Sequence, residues 1–319
     1  MLGLTIIGAL LLNSDLQEIA GSLQNSQKDW LALALALQVA TMVLIAWQWS
    51  FLSRTLGRYI SAGRMLQINM AGSFWESVTP AAKAGGEAVK VVLLKKEFKE
   101  SYATSVAVVG LQKAVSMLAF FTFANGSVIW FLLSGYSFFQ YKHIIAGSLL
   151  LPLFLVVPMV ILSQARIGQE SVIFTMPFLK NRRETIIAGI LSLQQTFCGL
   201  KHRKKELAAH FLFGLLIWFI FPLKAFMAAK SLGITIGFIP LAVITFIAYS
   251  VAMLPLTPGG LGTFEGTMTL LLTQLGVAVG EALILALIIR FITFWFVFIL
   301  SGLSLAISQL HQQNSPIDI

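Results

Sequence analysis

The chain has 319 residues, 57% of them hydrophobic and only 11% charged, with a net charge of +9. A soluble domain carries about 25% charged residues, so this composition excludes an ordinary soluble enzyme and points to a single integral membrane domain, 1–319. The only cysteine, Cys198, excludes an intrachain disulfide and a cysteine-based metal site, and a basic balance without a nucleic-acid motif points to a membrane surface and not to nucleic acid.

In chain order, Met1 to Leu12 is apolar but shorter than the ~20 residues that a spanning helix needs. It lacks the basic leader and small-residue cleavage site of a signal peptide and reads as a short or tilted first helix. Trp30 to Leu52 is a full span with Trp30, Trp47 and Trp49 near its ends as interfacial anchors. Arg54, Arg58 and Arg64 follow, which makes the next loop cytoplasmic by the positive-inside rule. Met65 to Val78 is too short to cross, and a helix from about Gly86 ends in Lys95, Lys96 and Lys99. With both flanks basic, this stretch reads as a hairpin that enters from the cytoplasm and returns there. Tyr102 to Ala124 spans outward, Asn125 to Gln140 either extends that helix or forms an outer loop, and His143 to Leu162 spans back.

Ser163 to Glu206 is the longest polar region, and its lysines and arginines place it in the cytoplasm, with an amphipathic surface helix over Ile186 to Leu200. His202, Glu206 and His210 fall at i, i+4, i+8, a spacing that could ligate a metal. Their strongly basic surroundings favour a solvated face, so no metal site is expected. Leu207 to Ala229 spans outward and Phe238 to Leu254 runs inward. Thr267 to Leu275 is too short to cross and returns to the outside. Glu281 to Ile307 then spans inward and leaves the C-terminus in the cytoplasm.

Two breaks interrupt this apolar chain. VTPAAKAGGEAVKVVLL (Val78 to Leu94) and LTPGGLGTFEGTMTLLL (Leu256 to Leu272) align without gaps: Thr79 with Thr257, Pro80 with Pro258, Glu87 with Glu265. Proline removes a backbone donor and glycine weakens a helix, so neither segment continues as an unbroken helix. At membrane depth such breaks are tolerated only against protein or a wet cavity, and a matched pair in two halves of a chain points to a transporter binding site. The expected architecture is an all-α, polytopic transmembrane helix bundle with two inverted repeats, each containing a broken re-entrant helical hairpin. Repeat one covers about 30–163, a cytoplasmic amphipathic linker about 164–206, and repeat two about 207–307.

Three cations, Lys113, Lys224 and Arg290, lie well inside predicted spans, where a charge costs about 2.5–3.5 kcal/mol on insertion scales. The alternative for each is a long stem that reaches an interface. Lys113 follows Glu87 by 26 residues and Arg290 follows Glu265 by 25. Helices that restart after Gly85-Gly86 or Gly262-Thr263 would point free N–H groups and the positive end of the dipole at an anion. The candidate substrate-binding residues are therefore Thr79, Pro80, Lys83, Gly85, Gly86, Glu87, Lys113, Lys224, Thr257, Pro258, Gly259, Gly260, Gly262, Glu265 and Arg290. Glu87 and Glu265 could instead cap their helices, neutralise a cation or carry a proton. Glu87, near Lys83 and Lys90, is expected to be structural. Glu265, without a charged neighbour in its own motif, is the better proton carrier unless Arg290 pairs with it.

No enzyme signature occurs: no HExxH, GxSxG, GxxxxGK[ST] or dinucleotide-binding pattern. No catalytic residue and no cofactor is expected.

At the two broken motifs, Thr79-Pro80 with Gly85-Gly86-Glu87 and Lys90, and Leu254 to Gly262 with Glu265, the chain resembles the lysylphosphatidylglycerol synthase transmembrane-domain family, also called flippase-like integral membrane proteins. Arg290 matches an arginine common in that family's last span, whereas Gln48 stands where an Arg beside the Trp is common. The resemblance implies movement of lipids between leaflets; with the cations and helix N-termini above, the expectation is an inner-membrane flippase for an anionic or phosphate-bearing headgroup. The family's best-known member adds a cytosolic aminoacyl-transferase domain. No soluble region of this chain is large enough for one, so synthase activity is not expected. Alternatives are a small-anion transporter, and a membrane subunit or transferase in lipid modification or lipid-linked glycan synthesis, with a partner enzyme held at the 163–206 loop.

Overall fold

The computed structural model of the protein describes Gly21, Gln24 and residues 26–79, 84–99, 102–133, 203–254 and 257–314. Its elements are helical throughout those residues: α1 Lys28–Thr55, α2 Ala62–Val78, α3 Ala84–Phe98, α4 Tyr102–Leu133, α5 Lys204–Ser231, α6 Phe238–Ala252, a 3₁₀ turn Pro258–Gly260, α7 Thr263–Thr273, α8 Val279–Arg290, a π turn Phe291–Trp295 and α9 Phe296–Asn314. Among the described residues, four stretches are long and apolar enough to cross a membrane: Lys28–Thr55, Thr104–Trp130, Lys204–Ser231 and Val279–Ser308, the last running through α8, the π turn and α9. Helix α4 continues to Leu133, so 125–133 extends the helix. The sequence readings for Met1 to Leu12, Pro80, Lys83, His143 to Leu162, Ile186 to Leu200, His202 and the last five residues lie outside the described residues.

Local chemistry accounts for the helix ends. Asp29 in the first turn and Arg54 in the last complement the dipole of α1. The Ser61 hydroxyl caps α2 by accepting the Arg64 N–H at 3.3 Å. At its other end Thr79 is extended (φ −87°, ψ 133°), the conformation that a following proline imposes. Helices α1 and α5, 28 residues each, end in the same device. Gly57 and Gly233 take positive φ (75° and 73°), and the next N–H, of Arg58 or Ile234, returns to the carbonyl of Ser53 or Ala229 at 2.8 and 3.0 Å.

Helices α1 and α5 run antiparallel along their whole length. The Gln27 N–H donates to the Ser231 carbonyl at one end (2.8 Å), and the Arg203 guanidinium donates to the Thr55 carbonyl at the other (2.7 Å). The loops 56–61 and 232–237 therefore leave from opposite ends of the bundle. Each launches a helical hairpin. In the first, Arg64 meets Glu97 at 2.6 Å where α2 and α3 diverge, and Gly86 sits on the Gly72 carbonyl near the tip, a gap that no Cβ would fit. In the second, Tyr249 of α6 packs on Phe264 of α7 at 4.8 Å between ring centres. Each hairpin's first arm packs on the other half: α2 against α9, where Phe74 stacks on Phe298, and α6 against α4, where Phe246 stacks on Phe123.

One apolar core lies in the first half around Trp49, Met65, Ile68, Leu94 and Val108. A larger one lies in the second around Ala228, Leu241, Phe264, Met268 and Leu285. Outward faces are apolar too: Leu33, Trp47, Leu118, Leu216, Ile239 and Ile299 are exposed, as helices bathed in hydrocarbon require.

Candidate functional site

Each break brings a glutamate to a basic residue on the following long helix. In the first half Glu87 lies in the opening turn of α3. Its Oε1 accepts from Lys113 Nζ of α4 at 3.2 Å and from Lys90 Nζ, one turn along α3, at 3.5 Å. The Lys90 stem lies against Gly72, and its amine stands 5.5 Å from the Trp49 ring centre. The cluster is partly open: the side chains of Lys113, Glu87 and Lys90 are 36%, 22% and 11% exposed. Glu87 Oε2 is buried without a hydrogen-bond partner. Thr79 turns its hydroxyl back to the Trp75 carbonyl at 2.7 Å and packs against Gly85.

The second break is more tightly built. Gly259, Gly260 and Gly262 all have positive φ (63°, 70° and 81°), which folds the chain between α6 and α7. Gly260 approaches Ala252 so closely that a Cβ would stand 2.8 Å from both the Ala252 carbonyl oxygen and its Cβ. Glu265 does two jobs. Its Oε2 accepts the Gly262 N–H at 2.7 Å, closing the first turn of α7, and its Oε1 lies 3.4 Å from Arg290 Nε. Arg290 also donates through Nη2 to the Gly259 carbonyl, and its guanidinium lies beside the rings of Phe294 (4.9 Å) and Phe264 (5.5 Å). This pair is dry, with side chains 7% and 1% exposed. The π turn starts directly after Arg290, and Tyr249 O–H donates to Thr293 Oγ1 within it at 3.2 Å. A π turn widens the helix by one residue, a device frequent at functional sites.

The two clusters differ in charge. The first holds two amines around one carboxylate and has one positive charge in excess. The second is balanced. No hydrogen bond or ion pair between described residues joins one cluster to the other.

Several sequence expectations change. Glu265 is paired with Arg290 and caps α7, so it is not the isolated carboxylate expected of a proton carrier. The capping of the Gly262 N–H is the structural role weighed against direct function for this glutamate. Lys224 stands apart from both clusters: it is fully buried on α5 and donates to Gln38 Oε1 of α1 at 2.6 Å. His210 is not on a solvated face. It is buried, with its ring on Phe51 at 4.3 Å and Nε2 3.2 Å from Thr55 Oγ1. Thr257 is buried with its hydroxyl unpartnered. Sequence reasoning passed over Gln38, Thr41, Gln112 and Tyr249, and met Gln48 only as a departure from the family pattern. Gln48 donates to the His210 carbonyl at 3.2 Å and accepts from Gln112 at 3.4 Å, tying α1 to α5 and α4. The available signal was an amide inside an apolar span, which is costly unless it finds a partner.

The chain is similar over most of its length to archaeal UPF0104 membrane proteins. It is 23% identical to one from Pyrococcus horikoshii over 95% of this chain and 94% of that protein. It is 22% identical to one from Methanothermobacter thermautotrophicus (93% and 90%) and 23% identical to one from Methanocaldococcus jannaschii (88% and 84%). The family model described as the lysylphosphatidylglycerol synthase TM region matches residues 1–301. The protein with paired charges at its two helix breaks is thus a membrane protein that belongs to the lysylphosphatidylglycerol synthase TM region family.

Proposed function

We propose that the protein moves a lipid with an anionic, phosphate-bearing headgroup between the leaflets of the cytoplasmic membrane. The observation that carries this reading is the pair of matched charge clusters, Glu87 with Lys90 and Lys113, and Glu265 with Arg290, each at a helix break and each with a cation on the next helix. An intramembrane ionisable residue marks a substrate path by default, and paired broken helices mark its centre. In this reading the halves 30–163 and 207–307 are inverted repeats, and α2–α3 and α6–α7 are re-entrant hairpins entered from opposite faces. Antiparallel α1 and α5, with hairpins leaving from opposite ends, support it. The C-terminus lies in the cytoplasm. The protein performs transport without covalent chemistry.

A phosphate headgroup would first meet the open, net-positive Lys90–Lys113 cluster. Arg290 would engage it when the second half opens, exchanging Glu265 for the phosphate. A guanidinium suits both partners because each offers two oxygens to its planar fork. Access would alternate as one half moves against the other.

The test is a proteoliposome assay with the purified chain and a fluorescent phosphatidylglycerol whose outer-leaflet fraction is bleached chemically. Wild-type protein should equilibrate the label across leaflets, Arg290→Ala should abolish this while remaining folded, and Arg290→Lys should be partly active at best. Normal lipid movement by the alanine variant removes Arg290 from the path. Uptake of soluble phosphate without lipid movement would make the protein a small-anion transporter.

A further inference from the structure

Lys224 is the membrane-embedded cation that the charge clusters do not use. It is fully buried. Its Nζ donates to Gln38 Oε1 at 2.6 Å and to Thr41 Oγ1 at 3.4 Å, and lies 3.9 Å from the ring centre of Phe221. Thr41 spends its own proton on the Leu37 carbonyl at 2.7 Å, which leaves its oxygen free to accept. Lys113 and Arg290 each have a glutamate, but among the described residues no carboxylate pairs with Lys224. Two dipoles and an aromatic face therefore hold this amine, with no counter-ion among the described residues to fix its charge.

We infer that Lys224, with Gln38 and Thr41, is a proton-binding site that sets how firmly the two halves hold together, so that lipid movement responds to pH. The proposal rests on the transport reading for its consequence but not for its chemistry. Gln38 and Thr41 lie on α1 and Lys224 on α5, the first long helices of the two halves. While the amine is protonated, the bonds across this seam are charge-assisted, roughly twice as strong as neutral ones. Release of the proton leaves a neutral amine with weaker donors, and the seam loosens. The step balances as one proton passing from the ammonium to water on whichever side the seam admits it.

The surroundings give the change a route to the site. The charged side chains of the helices around α5 are Lys28, Asp29 and Arg54 of α1, Lys113 of α4, and Glu281 and Arg290 of α8, and none of them is bonded to Lys224. The titratable group from α6 is Tyr249, whose ring packs on Phe221 at 5.4 Å. Tyr249 in turn packs on Phe264 at 4.8 Å, and Phe264 lies 5.5 Å from the Arg290 guanidinium. Movement of α5 at Lys224 thus presses through two rings on the Glu265–Arg290 pair.

The experiment uses the full chain in liposomes on a Cys198→Ser background, with spin labels at Leu33 of α1 and Leu216 of α5, both exposed. The inter-label distance distribution is measured from about pH 5 to about pH 9, a range wide enough for a buried amine. A pH-dependent shift should occur with Lys224 present and vanish in Lys224→Met and in Lys224→Arg, which stays charged. A pH-independent distance with Lys224 present, or a shift that survives in Lys224→Met, overturns the proposal. Should Lys224→Met fail to fold, Gln38→Met keeps the amine but removes its closest acceptor and should displace the transition midpoint. An unchanged midpoint overturns it equally. Fluorescent-lipid movement with and without a pH gradient, in the same vesicles, separates the two ideas. A distance shift without any lipid movement retires the transport reading and keeps the proton site. Lipid movement with no distance shift does the reverse.

Discussion

Removing the cation should have very different consequences at the two charge clusters. Arg290→Met would leave Glu265, only 1% exposed, as a buried carboxylate with a single remaining bond, the Gly262 N–H, and would strip the Gly259 carbonyl of its donor. Breaking a buried pair by removing one partner costs about 3–5 kcal/mol, because the surviving charge remains desolvated. Lys113→Met performs the same operation where the side chains are 36% and 22% exposed and where Lys90 still neutralises Glu87. With Lys90 still 3.5 Å from Glu87, no charge is stranded and the cost falls to about 0.2–1 kcal/mol. The expected gap of at least about 2 kcal/mol is measurable by reversible unfolding of the purified protein in mixed detergent micelles. Glu265→Gln keeps an acceptor for the Gly262 N–H and removes the stranded charge, so combining it with Arg290→Met should recover much of the loss. Equal losses for Arg290→Met and Lys113→Met, or no recovery in the double variant, would refute the view that the second pair is dry and coupled.

Glu265→Gln alone should leave any response of lipid movement to a proton gradient intact, since Glu265 is engaged by Arg290 and the α7 cap; loss of that response, read in proteoliposomes, would return the proton role to this residue. Gly260→Ala should lower the unfolding midpoint, because it adds a left-handed strain of about 1–2 kcal/mol to a collision with Ala252. Gly86→Leu should separate α3 from α2 at the Gly72 carbonyl, and a cysteine pair across that hairpin should then cross-link less efficiently. Single cysteines at Tyr59 and Lys205 should label from the same side of the membrane, and one at Thr235 from the other. Labelling of all three from one side would contradict the antiparallel packing of α1 and α5.

The excess positive charge of the first cluster and the neutrality of the second suit the proposed lipid path, with one receptive end and one closed end. Glu87 keeps a carboxylate between two amines, so the net attraction for a phosphate there is that of one charge, not two. Under the proposed transport that would moderate binding, and a carrier must release what it binds.

The sequence by itself determined the membrane class, the long helices and the two breaks, because these depend on local chemistry. Apolar length sets a span, and clustered proline and glycine end a helix. It also placed a cation one long helix beyond each Glu, at 26 and 25 residues. Tertiary structure decided which charges meet. Lys113 and Arg290 reach their glutamates because α4 and α8 pack beside α3 and α7, whereas Lys224, equally apolar in its flanks, turns to an amide on α1, 186 residues away in the chain. His210 shows the same limit: the basic run just upstream, Lys201 to Lys205, suggested a solvated face, but its neighbours in space are Phe51 and Thr55. Burial and pairing are properties of the faces that other helices cover, and that covering is fixed by long-range packing and not by the composition of any one segment.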